Sequence, residues 1–203
     1  MEIIMNKGKL QQPDRLHKTG FWVCAALFLI GCVAGVICSA ALPPDTPVND
    51  FITSTAAIEG RSFAERFLSS LLTSGKFHVL VLFFSFSAFG IVAVPAVSAL
   101  RGFLLCFAAS SVIRCNGASF IPRALLMFAP EALLAIPGLF LLSAYALVSS
   151  SVLLRVCLPG SIAPAKPFNG VFVKRAMLVF ALLCLSALVD AITAPWLAAY
   201  FVK

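Results

Sequence analysis

Charge is scarce in this chain. Only 11% of its 203 residues are Asp, Glu, Lys or Arg, whereas 61% are hydrophobic. A soluble domain covers its exterior with roughly a quarter charged residues, so the shortage excludes a cytoplasmic enzyme, a secreted disulfide scaffold and a nucleic-acid reader. With a mean hydropathy of +1.04, the chain reads as an integral membrane protein, and its net charge of +7 reports topology.

The residues that carry chemistry are equally sparse. The 2 histidines are His17 and His78, too few for an HExxH site or any multi-histidine metal site. A GxSxG elbow and a glycine-rich phosphate loop are both missing, and an intramembrane aspartyl pair needs a second buried aspartate beside Asp190. The 7 cysteines, Cys24, Cys32, Cys38, Cys106, Cys115, Cys157 and Cys184, show no CxxC spacing and fall mostly in apolar runs. They read as small packing hydrophobes. The expectation is a protein that is not an enzyme, with no catalytic residues, cofactor or metal.

What the chain has is long apolar runs. Phe21 to Leu42 holds no charge and spans roughly 33 Å as helix, enough to cross the hydrocarbon. It is longer than a secretory h-region, and Pro43-Pro44-Asp45 is no small-residue cleavage site, so it is kept as a span. Phe77 to Leu100 is a second uncharged run, with Pro95 near its end. Gly102 to Ile113 covers only about 18 Å as helix, which predicts something short or broken in the middle. Leu133 to Leu154 and Ala176 to Val202 follow, the last closing on Pro195-Trp196 at a membrane boundary. The expected fold is all-α, a polytopic membrane helix bundle of about five transmembrane spans (21–42, 77–100, 102–121, 133–154 and 176–202), with a short or broken pair in the middle. Residues 1–20 form a basic cytoplasmic tail and residues 21–203 a single membrane domain.

Basic residues orient the spans. Lys7, Lys9, Arg15 and Lys18 mark the tail as cytoplasmic, as do Arg155, Lys166, Lys174 and Arg175 for the last loop. The loop 43–76, with Asp45, Asp50, Glu59 and Glu65, falls outside. The second span then returns to Arg101, two further crossings lead back to the cytoplasmic Arg155 loop, and the last span puts the C-terminus outside. Within the outer loop, Ser62-Phe63-Ala64-Glu65 fits a capping box, and Phe63, Phe67, Leu68, Leu71 and Leu72 share one face opposite Arg66, Ser70 and Ser74. This predicts an amphipathic helix over 62–74 along the outer membrane surface, either a lid on the bundle or a docking face.

Two intramembrane acids stand out, Glu131 and Asp190. Glu131 can pair with Arg123 or Arg114 across a broken helix, as structural glue, or the two acids can line a polar path. The small-residue stripe Gly31, Gly35 and Ser39 permits close helix approach within the bundle or with a partner, a second copy in a homo-oligomer included.

The order of segments then resembles a family. A cationic tail and first helix, an outer loop ending in an amphipathic helix, Gly90-Ile91-Val92-Ala93-Val94-Pro95 and Leu100-Arg101-Gly102-Phe103 are similar to stage II sporulation protein M. So are Asn116-Gly117, the proline-bounded segment Phe128 to Pro137, the long span, the basic loop and the closing helix with Ala194-Pro195. The resemblance covers most of residues 15–203. It implies a non-catalytic scaffold in the mother-cell membrane at the sporulation septum. Such a scaffold holds the peptidoglycan hydrolases stage II sporulation proteins D and P during forespore engulfment. The lipid bilayer is the other expected partner, and nucleic acid is not one. From the residue patterns, partner contact is expected at Gly31, Gly35, Phe63, Arg66 and Phe67. The alternative is a membrane subunit of a small transporter or exporter using Glu131 and Asp190.

Overall fold

A computed structural model of the chain describes residues 2–43, 62–117, 121–157 and 170–201. It is all-helical over these residues. The five helices are α1 (Glu2–Ala41), α2 (Phe63–Ser85), α3 (Gly90–Asn116), α4 (Ile121–Cys157) and α5 (Gly170–Phe201). Each contains a segment long and apolar enough to cross a membrane: His17–Ala41, Phe63–Ser85, Gly90–Cys115, Ala132–Cys157 and Phe172–Thr193. The chain is accordingly described as a multi-pass membrane protein. The side where α1 enters is the tail side, and the opposite one is the far side.

The helix boundaries correct the sequence reading in the middle of the chain. The segment over 62–74 is no separate surface helix, because α2 runs unbroken from Phe63 to Ser85. Its start is as expected: the Ser62 backbone N–H donates to the Glu65 carboxylate at 3.0 Å, one half of a capping box. The break falls at Phe86 to Phe89 rather than at Arg101, and α3 is a single helix through Arg101 and the run 102–113. Nothing in the middle is short; the spans are 63–85 and 90–115, displaced from the expected 77–100 and 102–121.

Local chemistry explains the turn. The Phe86 and Ser87 N–H groups donate to Phe83 and Phe84 carbonyls, Gly90 N–H donates to Ser87 O, and the Phe89 N–H meets Ser87 Oγ at 3.2 Å. From α4, Ser150 Oγ also donates to Phe84 O at 3.3 Å, a second donor beside the Ser87 N–H that ties α4 to the turn. A Cβ on Gly90 would collide with Ser150 Oγ and the Phe84 carbonyl, which reserves that position for glycine. Pro95 lies in the second turn of α3, where its missing N–H removes only the bond to Ile91 O. Phe86 and Phe89 are exposed at this tail-side hairpin, in the manner of interfacial aromatics.

In the bundle, α4 contacts each of the other four helices, α1 rests on α3 and α4, and α5 on α2 and α4. The central cluster comprises Cys24, Phe77, Val81, Val94, Val97, Leu139, Leu142, Ala146 and Val179, one set from every helix. Lipid tails are as apolar as leucine, so burial does not drive helix against helix. Association relies on close packing and on interhelical hydrogen bonds of about 0.6 kcal/mol each. The buried polar residues are mostly small: Ser39, Ser74, Ser85, Ser98, Ser111, Ser143, Ser149, Ser150 and Ser186 all lie inside. Of these, Ser39, Ser74, Ser111 and Ser150 join helices by hydrogen bonds, whereas Ser85 and Ser98 bond carbonyls of their own helix.

The seam between α1 and α3 is the closest approach. On α1 the buried positions are Gly20, Cys24, Phe28, Gly31, Gly35 and Ser39, with spacing 4, 4, 3, 4, 4. A Cβ on Gly31 would fall on the Ala99 carbonyl, one on Gly35 on the Phe103 carbonyl, and one on Gly102 of α3 on the Phe28 carbonyl. Farther along, Ser39 Oγ and Ser111 Oγ share a hydrogen bond at 3.1 Å. The Arg114 guanidinium donates to the carbonyls of Ser39 and of Leu42, the latter at 3.0 Å, and so caps the end of α1. Partners rise together along both helices, so α1 and α3 run parallel. This matches an up-and-down course with α2 returning between them.

Candidate functional site

Gly31 and Gly35 are consumed inside the protein. Their stripe is covered by α3, which corrects the expectation that it meets a partner from outside. Phe63 is exposed at the far-side end of α2, and Arg66 and Phe67 are half-buried one turn on, so the three sit together but on a spanning helix. Asp190 is half-buried on α5. Glu131 and Arg123 belong to the helical backbone of α4, and their side chains lie outside the described residues. The expected pairing of Glu131 with Arg123 or Arg114 therefore falls outside the described residues, while Arg114 itself is directed at the end of α1. The loop 44–61 and the basic loop 158–169 also fall outside the described residues, as does the Trp196 side chain.

Among the described residues, the polar centre of the bundle does not include Asp190. It is built from Ser74, Phe77 and His78 on α2 and Arg101 on α3, with the exposed Lys76 at its lipid-facing edge. Arg101, buried at 7% exposure, sends its Nη2 to Ser74 Oγ at 3.3 Å and places its guanidinium carbon 4.8 Å from the centre of the Phe77 ring. Lys76 approaches the same ring, with Nζ 5.3 Å from its centre. His78 is buried, and its Nδ1 lies 3.0 Å from Ser74 O, an i−4 carbonyl within its own helix. Its Nε2 faces Gly138 of α4, where an added Cβ would sit at 3.7 Å.

This group lies at mid-depth. Gly102 meets Phe28, near the middle of the His17–Ala41 span, and Gly75 lies over Leu183, near the middle of Phe172–Thr193. Arginine or lysine at a helix centre costs roughly 2.5–3.5 kcal/mol on insertion scales. Cation–π contact with a buried ring offsets up to about 2 kcal/mol of that, and a hydrogen bond to Ser74 adds to it. Asp190 is placed elsewhere in depth, seven residues beyond Leu183 toward the far side, about 10 Å along the helix.

Sequence reading missed this centre because it set Arg101 at a membrane boundary. A signal existed: Ser85-Phe86-Ser87-Ala88-Phe89-Gly90 is the serine- and glycine-bearing stretch of the run, and a turn there puts Lys76 and Arg101 in mid-span.

A cavity of about 540 Å³ borders the same group between α2, α4 and α5. Its lining is leucine, valine and phenylalanine, with Lys76, His78 and Gly75 among them. A second, of about 260 Å³, lies toward the tail side between Thr19, Val23, Pro95 and Leu147. No group of three or more His, Cys, Asp or Glu able to hold a metal occurs among the described residues. At the tail side Tyr145 gathers two neighbours, the His17 ring at 4.3 Å and the Arg175 guanidinium at 4.3 Å, tying α1, α4 and α5 together.

Protein-family models, curated proteins and solved structures were all compared with the chain, and none matches it.

Proposed function

We propose that this protein is a non-catalytic membrane scaffold, one that holds peptidoglycan hydrolases at the sporulation septum during forespore engulfment. The observation that carries the reading is where the structure leaves room. The α1–α3 seam is closed by direct backbone contact. The larger cavity opens sideways through Leu72, Val79, Phe83 and Phe180, all exposed toward lipid. A bundle sealed along one seam and grooved on its flank offers a surface to neighbours in the bilayer. Holding two membrane-anchored enzymes on one such surface raises their effective concentration for each other without any chemistry by the scaffold. The resemblance of the segment order to stage II sporulation protein M supplies the partner class, hydrolases of the stage II sporulation protein D and P type.

The test is affinity purification of the tagged full-length chain, in mild detergent, from cells entering sporulation. Wall hydrolases should co-purify, and should still do so from the Glu131→Gln, Asp190→Asn double variant. Recovery of a nucleotide-binding subunit in their place, or loss of function only when both acids are neutralised, would favour a transporter subunit. Gly31→Leu is unsuitable as a partner-release variant, since it disrupts the bundle itself.

A further inference from the structure

The lipid-facing side of α2 carries a charge where a bilayer has nothing to solvate it. Lys76 is exposed, yet it stands 13 residues from Phe63 and 9 from Ser85, about 20 Å and 13 Å from the two ends of the helix. Its ammonium does not reach for either interface; it rests beside the Phe77 ring on its own helix. Phe77 is buried, and its ring is shared with the Arg101 guanidinium, so two cations approach one aromatic group at the same depth.

Around Lys76 the exposed side chains form a seam. Leu68, Leu72, Lys76, Val79 and Phe83 follow one another at spacings of 4, 4, 3 and 4, and the four apolar members are each at least 54% exposed. That alternation is the period by which one helix receives another, and a single polar residue within such a seam sets register and partner choice. Beside the seam lies the 540 Å³ groove, where Gly75 and Ala176 leave space for close approach.

We propose that this seam and groove are the docking site for a membrane-spanning helix of a partner protein that carries a carboxylate at mid-depth, paired with Lys76. Helical spacing along about 22 Å of α2 selects a helix over a single acyl chain. A lipid headgroup at either interface lies too far from Lys76 to meet its ammonium. The chain's own intramembrane acids stand at other depths, Asp190 seven residues beyond Leu183 on α5 and Glu131 seven residues before Gly138 along the helical backbone of α4, so a second copy in the same orientation does not bring either position level with Lys76. The proposal rests on the scaffold reading and specifies one of its contacts: the partner is held within the membrane, by charge at one register.

The experiment uses the full-length protein in bilayers and a synthetic probe, a leucine-alanine spanning helix with one central Asp, compared with central Asn and central Leu. Association is read by energy transfer between labels on protein and probe. The Asp probe should associate about tenfold more tightly than the Leu probe. Lys76→Leu should abolish that preference, and Lys76→Asp should transfer it to a probe with a central Lys. Gly75→Leu, which fills the groove, should weaken all probes alike. Circular dichroism of each variant verifies that the bundle is intact. Equal association of Asp and Leu probes, or a preference that survives Lys76→Leu, overturns the proposal. So does retention of anionic lipid that depends on Lys76, seen by native mass spectrometry without any probe preference. If hydrolases still co-purify with Lys76→Leu while the probes fail, the groove is wrong and the scaffold stands; if the probes succeed and no hydrolase co-purifies, the reverse holds.

Discussion

Replacing Gly31 by alanine adds one methyl group and tests the central packing feature of this protein. The new Cβ would overlap the Ala99 carbonyl oxygen and lie 3.1 Å from Ala99 Cα. Carbon atoms rest at about 3.5–4.0 Å, and a backbone carbonyl cannot rotate aside, so α1 and α3 must part by about 1 Å over a turn or more. Parting them loosens Gly35 against Phe103 and Gly102 against Phe28 at the same time, since all three contacts belong to one seam. Overpacking of this kind costs about 1–3 kcal/mol, and the seam's shared geometry places Gly31→Ala at the upper end. Gly75→Ala is the internal control: its Cβ would meet only Leu183 Cδ2, at an ordinary 3.6 Å. That change should cost less than about 0.5 kcal/mol, or stabilise α2 slightly through helix propensity. The assay is reversible unfolding of the purified protein in mixed micelles, titrated with denaturing detergent and followed by circular dichroism. Equal midpoints for Gly31→Ala, Gly75→Ala and wild type would refute the close-seam reasoning.

Ser74→Ala removes the oxygen that accepts from the buried Arg101 guanidinium, and should lower stability by about 1–3 kcal/mol in the same assay; Ser74→Thr should recover most of it. Arg114→Gln uncaps α1 at an exposed end, so about 1 kcal/mol is expected, with faster hydrogen exchange confined to the last turn of α1. A cysteine at Ser87, in an otherwise cysteine-free chain, should react with a membrane-impermeant thiol reagent from the tail side alone; protection from both sides would place the α2–α3 turn inside the bilayer.

Much of this architecture was legible in the sequence because the bilayer imposes a simple rule: spanning backbone must satisfy its own hydrogen bonds, and a spanning helix does so with about 20 apolar residues in a row. Composition alone led to an all-helical, polytopic protein. The first span, the fourth at 133–154 and the last were placed close to their observed segments 17–41, 132–157 and 172–193. The capping box at Ser62 and Glu65 marked a helix start that the structure retains.

The middle of the chain was not legible, for a reason of the same kind. Counting charges treats Arg101 as a boundary because a lone arginine in lipid is costly. Only the packed bundle supplies Ser74 and the Phe77 ring, which let that arginine lie in mid-span, and only tertiary packing brings Ser150 of a distant helix onto the Phe84 carbonyl at the turn. The Gly31 and Gly35 stripe likewise announced close approach without naming the other helix. A small-residue face is equally receptive to any helix; Gly102, presenting the reciprocal gap on α3, decides which one fills it. Sequence determined that helices must cross and where apolar length suffices. Tertiary contact decided which polar groups could be afforded in the interior, and which face was left to the lipid.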